Sequence, residues 1–366
     1  MSATLGALLT ILEPTWRVGI YERLDEVALE SSNPWNNAGT GHAALCELNY
    51  TPERKDGSVD ISKAVKINEQ FHTSREFWNH LLTAGLMEGT DFINVTPHMT
   101  FVRGADNVDF LRRRFDALSA HPLFRDMEFS SDPAVIGSWA PLMTLDRDAD
   151  EPIAATRAAA GTDVDFGSLT KKLIGFATSG NTELHVNHEV RGLKKLRDGR
   201  WRLTLNDRSW NAGTRRRTVT AKFVFVGAGV KNLDLTGYLV GQVAAAPETK
   251  FHELQRFMPT AQPADWEKIT AGQRVQVIKW VKGKGGVLEF GTEVVASADG
   301  TIAGLLGASP GASTAVAAMT GLLERCFPAK YDEWKPQLTS MMPSLGGGVA
   351  DDAAQLARAD KVPAGA

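Results

Sequence analysis

Apolar residues recur along the first twelve positions at the spacing of one helix face: Leu5, Leu8, Leu9 and Leu12. Pro14 stops that helix. The run from Trp16 to Glu22 then predicts a buried strand that ends in a carboxylate. A second helix is predicted from Asp60 to His80, with Ile61, Val65, Phe71 and Phe77 among its buried positions. Asn94 to Val102 predicts a turn followed by a short strand. Asn107 to Ser119 predicts a helix whose basic run, Arg112-Arg113-Arg114, forms a solvated face. Gly161 to Gly167 leads into a helix from Ser168 to about Ala177, capped by Asp165 or Ser168. Three strand-like runs follow, Glu183 to Leu193, Arg200 to Leu205 and Thr218 to Val226, with turn signals such as Asp198-Gly199 between them. Arg215, Arg216 and Arg217 predict an exposed hairpin tip, with a weak lipid-headgroup contact as the alternative. Beyond them the pattern predicts a helix over Lys231 to Leu239, a turn into a strand over Ala271 to Ile278, and a helix over Ser313 to Cys326. From Gly346 onward it predicts a frayed tail.

Three stretches carry candidate chemistry. Ser31 to Glu47 is too polar and Gly-rich for a strand or helix interior, and longer than an ordinary connection. Its Asn36, Asn37, Gly39, Thr40 and Gly41 offer backbone N–H groups and small side chains that can wrap an anionic group. His42 follows, with a side chain suited to proton transfer near neutral pH. A surface loop that happens to hold a histidine is the plain alternative. Phe223 to Gly229 is a continuous apolar run ending in Gly-x-Gly, the pattern of a buried parallel strand that brings backbone close to a ligand. Gly304 to Thr314 sets small residues before a helix N-terminus, where free N–H groups and the helix dipole favour anions and carbonyl oxygens. A tight packing turn is the alternative there. The first helix and the strand ending in Glu22 have the form of the second half of a βαβ dinucleotide-binding unit, in which the acid bonds a ribose hydroxyl. Ser2-Ala3 stands where the third small residue of the Gly-rich turn belongs; the strand and the first two glycines would precede Met1. An ordinary helix–strand pair with a charged exit is equally compatible with these residues. His98, next to Pro97, is either a structural histidine or a second proton-transfer candidate.

With 366 residues, 43% hydrophobic and 23% charged, the chain has a soluble globular composition and the length for two domains. Its net charge of -3 argues against general affinity for nucleic acid. Two cysteines, Cys46 and Cys326, form no metal-ligand spacing and fit a reducing cytoplasm. No apolar run reaches the length of a membrane span and no signal-peptide pattern opens the chain, so membrane contact is expected to be peripheral.

At Met1 to Gly6, Glu22 to Asp25, Glu30 to Pro52, Val95 to Met99, Gly161 to Gly167, Lys222 to Gly229, Ala271 to Val277 and Gly304 to Ala315, the sequence resembles the malate:quinone oxidoreductase family of flavoproteins. The resemblance implies an α/β fold with a discontinuous FAD-binding, Rossmann-like parallel-sheet domain over 1–52, 159–230 and 291–328. It implies an interleaved α+β substrate domain over 53–158 and 231–290, and a C-terminal helix and tail over 329–366. It implies FAD-dependent oxidation of (S)-malate to oxaloacetate, with a membrane quinone as acceptor and no nicotinamide cofactor, at the cytoplasmic face of a bacterial membrane. By resemblance Ser2 belongs to the Gly-rich turn, and Glu22, with Arg23 beside it, holds the adenosine ribose. Asn36, Asn37, Gly39, Thr40, Gly41 and His42 pass along the pyrophosphate and flavin, and Gly227 and Gly229 bring backbone close to the cofactor. Gly307, Ser309, Gly311, Ser313 and Thr314 put a helix N-terminus against the flavin pyrimidine.

The implied reaction needs a base for the malate hydroxyl and cations for two carboxylates. His42 is the first candidate base and His98 the second. Arg274 is the candidate carboxylate clamp, since its fork suits bidentate pairing, and Arg103 a weaker one. The resemblance also implies that the family's first strand and Gly-rich turn would run into Met1-Ser2-Ala3, and that a domain-sized segment is missing between Gly229 and Asn232. Two alternatives therefore stand beside the leading function: another FAD-dependent 2-hydroxy-acid dehydrogenase, and a truncated, non-catalytic remnant whose parallel sheet, lacking a central strand, exposes two edges.

Overall fold

The computed structural model describes residues 1–209, 215–227, 247–267, 269, 277–281, 285–289, 292–307 and 311–345. The predicted helix over Lys231 to Leu239, the turn holding Arg274 and the tail from Gly346 lie outside the described residues.

Helix α1 (Ser2–Leu12) is buried almost all round, at Ala3, Leu5, Ala7, Leu8, Leu9 and Leu12, rather than on one face only. It is the pattern of a helix enclosed by protein. A Cβ at Gly6 would sit 3.3 Å from the Ile20 side chain and 3.5 Å from that of Ala177, so the missing side chain lets α1 lie close against its neighbours. Strand β1 (Val18–Tyr21) is shorter than predicted and half-buried. Trp16 leaves the strand to pack against Phe327 and Trp334, with ring centroids 5.5 and 6.1 Å away.

Helix α2 (Ser62–Thr83) buries Phe71, Phe77, Trp78 and Leu81 as its spacing requires, while Ile61 and Val65 are half-buried in a separate apolar cluster with Tyr50 and Phe124. The stretch predicted as a turn and one strand contains two, β2 (Ile93–Val95) and β3 (His98–Arg103). Helix α3 (Ala105–Ser119) corrects the prediction of a solvated arginine face. Arg113 is paired outside with Glu53 and Asp109, but Arg114 is fully buried with Leu111 and Leu118. Positions 111, 114 and 118 follow the i, i+3, i+7 spacing of one helix face, so the apolar stripe of α3 carries Arg114 inward. Strand β4 (Glu128–Ser130), helix α4 (Pro133–Trp139) and strand β5 (Ile153–Ala158) follow. β5 is the centre of an antiparallel sheet ordered β3–β5–β4, in which His98 opposes Ala158 and Arg103 opposes Ile153. Strand β6 (Thr162–Val164) pairs antiparallel with β2. Helix α5 (Phe166–Thr178) is capped as predicted by Asp165, whose Oδ1 accepts from the N–H groups of Gly167 and Ser168.

The run from Glu183 to Leu193 divides at Asn187, which holds a left-handed φ of 59°. Its first part, β7 (Thr182–His185), pairs parallel with β1. Its second, β8 (His188–Lys195), joins β9 (Trp201–Asp207) and β10 (Arg215–Ala221) in an antiparallel meander. Arg215 to Arg217 therefore lie within β10, opposite Asp207 to Leu205, and do not form a hairpin tip; the Arg217 guanidinium is 3.0 Å from Asp207. The third run also divides, at Lys222-Phe223, and gives β11 (Val224–Val226). Helix α6 (Pro247–Gln255) and the hairpin of β12 (Val277–Val281) and β13 (Gly285–Glu289) precede β14 (Thr292–Ala296) and β15 (Ile302–Gly307). β11 pairs parallel with β15, as its apolar run predicts, and β15 pairs antiparallel with β14. Helices α7 (Ala315–Cys326) and α8 (Pro328–Met341) close the described chain.

The fold is α/β, and its main core joins α1, the C-terminal half of α2, α5, α7 and α8 through residues such as Leu8, Trp78, Leu173, Val316, Met319 and Leu338. Each fully buried aliphatic side chain there contributes about 1.5–3 kcal/mol. The β1–β7 pair and the β11–β15–β14 sheet lie against this core through Ile20, Leu184, Phe225 and Ala303.

Candidate active site

The polar stretch after β1 is built by its own side chains before it touches anything else. Asn33 caps a short turn by accepting from Trp35 N–H at 3.0 Å. The Asn36 amide donates to the Glu30 carbonyl at 2.8 Å, and the Asn37 amide to the carbonyls of Ser31 and Asn33 at 3.1 and 2.8 Å. Asn37 Oδ1 then accepts from Gly39 N–H at 2.8 Å. Both asparagine side chains thus fold the loop, and any anion contact falls to its backbone. From Gly39 the chain runs along β6, on the side away from β2. Val164 N–H donates to Gly39 O at 2.6 Å, and Gly41 N–H to Thr162 O at 2.9 Å. Only glycine fits at either position. At Gly39, where φ is +66°, a Cβ would fall 2.2 Å from Asp163 Oδ1; at Gly41 it would fall 2.1 Å from Thr162 Oγ1.

Ser313, buried just before α7, clamps the loop from the other side: its hydroxyl donates to Thr40 O at 3.1 Å and accepts from His42 N–H at 3.1 Å. His42 is thereby fixed between the α7 entry and the β3–β5–β4 sheet. Its Nδ1 lies 2.5 Å from Glu47 Oε1, and its ring meets Tyr50 edge-on at 6.4 Å. Burial works to raise the Glu47 carboxyl, but the hydrogen bond and charge of His42, with His98 also contributing, outweigh it and hold the carboxyl below its ordinary value. Burial, together with the charge and hydrogen bond of Glu47, pushes the neighbouring Cys46 thiol up to about 12, so it stays protonated.

Arg114 supports this turn from below. Its Nε donates to Thr51 Oγ1 at 3.0 Å, and its Nη2 to the carbonyls of Ala44 and Leu45 at 3.4 and 3.5 Å. Ala44, fully buried, takes a left-handed φ of 58° so that the chain can reverse there. Burial brings the Arg114 guanidinium down to about 10, while the charge of Glu47 acts to keep it protonated. From β3, Thr100 donates its hydroxyl to Cys46 O at 2.7 Å. His98, also buried, donates from Nε2 to Thr162 O at 3.0 Å, the same carbonyl that receives Gly41 N–H. Gly161 makes room for that imidazole; a Cβ there would lie 2.5 Å from His98 Cδ2. His98 and Gly41, the residue before His42, thus share one backbone carbonyl.

The predicted cofactor residues come together in part. Ser2 meets Gly227, where an added Cβ would fall 2.1 Å from Ser2 Oγ, so β11 delivers its end against the first turn of α1. Glu22 follows β1 directly, with Oε1 accepting from Leu24 N–H at 3.0 Å. Arg23 is exposed and paired with Glu30. Neither α1 nor α7 has a side-chain cap or an acid in its first turn, whereas α5 is capped by Asp165. The entries of α1 and α7, without side-chain caps, suit an external anion or carbonyl oxygen such as a dinucleotide carries. Gly307 ends β15, and Gly311, Ser313 and Thr314 lead into α7; Gly229, Ser309 and Arg274 lie outside the described residues. Arg103 stands apart at the opposite end of β3, roughly 16 Å from His98 at about 3.3 Å per residue, and is paired with Glu151.

Sequence reasoning passed over Glu47 and Arg114. Glu47 closes the same polar stretch five positions after His42, and Arg114 betrays itself by its spacing from Leu111 and Leu118.

A sequence model described as malate:quinone oxidoreductase matches residues 1–233 and 228–364. A probable malate:quinone oxidoreductase of Leifsonia xyli is 43% identical over 454 residues, covering 94% of this chain and 92% of the relative. Another, from Rhodococcus jostii, is 42% identical over 462 residues, covering 97% and 91%. A third, from Geobacillus kaustophilus, is 40% identical over 455 residues, covering 94% and 90%. These alignments are longer than the chain's own 366 residues, so the relatives carry residues without a counterpart here. The two matched ranges of the family overlap at 228–233, a stretch that includes Gly229. Among solved structures, the chain is similar to a glycine oxidase of Bacillus cereus, with a TM-score of 0.56, 14% identity and coverage of 90% and 94%. It is also similar to an L-alpha-glycerophosphate oxidase of Mycoplasma pneumoniae with FAD bound, with a TM-score of 0.53, 12% identity and coverage of 89% and 92%. At these identities the likeness shows the fold.

Proposed function

Because the chain belongs to the malate:quinone oxidoreductase family, we infer that it oxidises (S)-malate to oxaloacetate with FAD and passes the electrons to a membrane quinone. Bound FAD supplies the two-electron acceptor for this chemistry. In this reading Ser2 and the α1 entry, with Gly227 and Gly229, hold the pyrophosphate, and Glu22, with Arg23 beside it, holds the ribose. The backbone of 36–41 follows the cofactor toward the flavin. The α7 entry, with Gly307, Ser309, Gly311, Ser313 and Thr314, faces the flavin pyrimidine and favours negative charge there. In this reading the FAD-binding part comprises about 1–52, 159–230 and 291–328, and the substrate part about 53–158 and 231–290.

His42 takes the malate hydroxyl proton. The observation that carries this is the clamp of Ser313 on the Thr40 carbonyl and the His42 backbone N–H, which ties the residue that bears the imidazole to the entry of α7. His98 fixes the carbonyl on which Gly41 rests and is the second candidate for the proton. Arg274 is the proposed cation for a malate carboxylate. The enzyme works at the surface of the quinone-bearing membrane, on its cytoplasmic side. The free thiols Cys46 and Cys326 support a reducing compartment. No helix among the described residues is long and apolar enough to cross a membrane.

The residues that the relatives carry without a counterpart here favour a second reading, that of a family member with no catalytic activity. The visible spectrum of the purified chain, recorded before and after anaerobic addition of malate, separates the two. A flavin spectrum bleached by malate supports the inference. A colourless protein that takes up no FAD would leave the family as its ancestry only. In a chain that passes this test, His42→Gln should lower the rate of malate-driven flavin reduction by about two to four orders of magnitude. An unchanged rate at equal FAD content would remove His42 from the mechanism.

A further inference from the structure

We propose that Glu47 is the positioning residue for His42: it holds the imidazole by Nδ1, places the basic lone pair on Nε2, and is itself set by Arg114 and Thr100 beneath the turn. This rests on the reading of His42 as the base.

The geometry begins with the 2.5 Å approach of His42 Nδ1 to Glu47 Oε1. An ionised carboxylate only accepts, so its close approach favours the neutral His42 tautomer with the proton on Nδ1. In that tautomer the ring's lone pair is on Nε2, the atom that can receive a proton from substrate. When it does, the imidazolium faces the same carboxylate, which balances the charge that the ring gains. Both side chains are mostly shielded, at 20% and 16% exposure, so the charge of Glu47 is felt across a short, poorly screened gap.

A carboxylate can play this part only if its own backbone is fixed, and four contacts fix it. Arg114 reaches Thr51 Oγ1 and the carbonyls of Ala44 and Leu45, on both sides of Glu47. Thr100 binds the carbonyl of Cys46, the residue before it. Arg114 forms no ion pair with Glu47 among the described interactions; its hydrogen bonds go to the turn. The cation therefore sets the turn and favours ionised Glu47 without competing with His42 for the carboxylate.

The test uses the full chain labelled with 15N-histidine. The His42 signals are identified as those lost in His42→Gln. A two-bond 1H–15N correlation spectrum at a pH where His42 is neutral reports which ring nitrogen holds the proton, and needs no turnover. The expected wild-type pattern is a protonated Nδ1 and a pyridine-like Nε2. In Glu47→Gln the expected pattern is an averaged mixture of both tautomers, with the rate of malate-driven flavin reduction down about 100-fold at equal FAD content. A wild-type His42 protonated at Nε2 overturns the proposal without recourse to any variant at Glu47. So does a Glu47→Gln protein that reduces flavin within twofold of the wild-type rate. Failure of the base reading has a different sign: His42→Gln itself would then turn over normally. An impaired His42→Gln beside an unimpaired Glu47→Gln leaves the base in place and removes only the role of Glu47.

Discussion

Strand β3 has a half-buried carboxylate near each end, and the two are treated differently. Near His98, Glu47 faces the imidazole of His42, and the nearby Arg114 spends its hydrogen bonds on the backbone and on Thr51. At the other end, Arg103 binds Glu151 Oε1 through Nε and Nη2 at 2.7 and 2.6 Å, and Arg147 binds Oε2 at 2.6 Å. Other donors of these arginines reach the carbonyls of Arg256 and Phe257, just past the end of α6, and Arg147 Nε donates to Met143 O. Burial would raise both carboxyls; in Glu151 the hydrogen bonds and charges of Arg147 and Arg103 overcome it, and in Glu47 those of His42 do. The difference lies in what the partners can do next. Two permanent cations leave Glu151 nothing to exchange, so it acts as a latch between the sheet and α6. An imidazole can gain and lose a proton, so in the proposed mechanism Glu47 faces a partner whose charge changes.

The largest effect should come from neutralising the two carboxylates in turn. Glu151→Gln should leave malate-driven flavin reduction within about twofold, against the roughly 100-fold loss expected at Glu47, by stopped-flow absorbance. A comparable loss at Glu151 would erase the distinction between the two ends. Next come the arginines. Arg114→Met strands the acceptors of a buried turn and should cost about 3 kcal/mol in urea denaturation, with loss of rate. Arg147→Met, at the latch, should cost about 2 kcal/mol and leave the rate alone. Equal rate losses would mean that α6 is coupled to the chemistry. The smallest effect is on acid stability. Both carboxyls are held below their unfolded values, so each contributes stability that is present above the ordinary carboxylate value and is lost as pH falls through the depressed one. Glu47→Gln and Glu151→Gln should each flatten the decline of urea stability below about pH 4.5, the ordinary glutamate value. A decline as steep as in the parent chain would place the acid sensitivity elsewhere.

Most helices were legible before any coordinates. The leucines of α1, the apolar positions of α2 and the Asp165 cap of α5 all depend on residues within a few positions of one another, and that information is local. Strand continuity was less legible. The run from Glu183 to Leu193 reads as one strand, but it serves two sheets, and only the left-handed turn at Asn187 marks the change. The site was half legible. Gly39, Gly41 and His42 stood out because a Gly-rich polar stretch of that length is unusual, and the structure gives both glycines a steric reason. The asparagines stood out for the same reason, yet their amides proved to be the loop's own scaffolding.

By itself the sequence determined the family, the α/β class, the helices with clear periodicity, and the loop where a histidine follows close-packed glycines. Tertiary structure decided which ionic groups meet. Arg114 lies seventy positions after Ala44 and reaches it because the apolar stripe of α3 turns inward; Ser313 lies further still from Thr40 and meets it where α7 enters the core. Periodicity fixes which face of an element is buried. Which charge a buried side chain then finds depends on how separate elements pack, and that arrangement has no local trace in the chain.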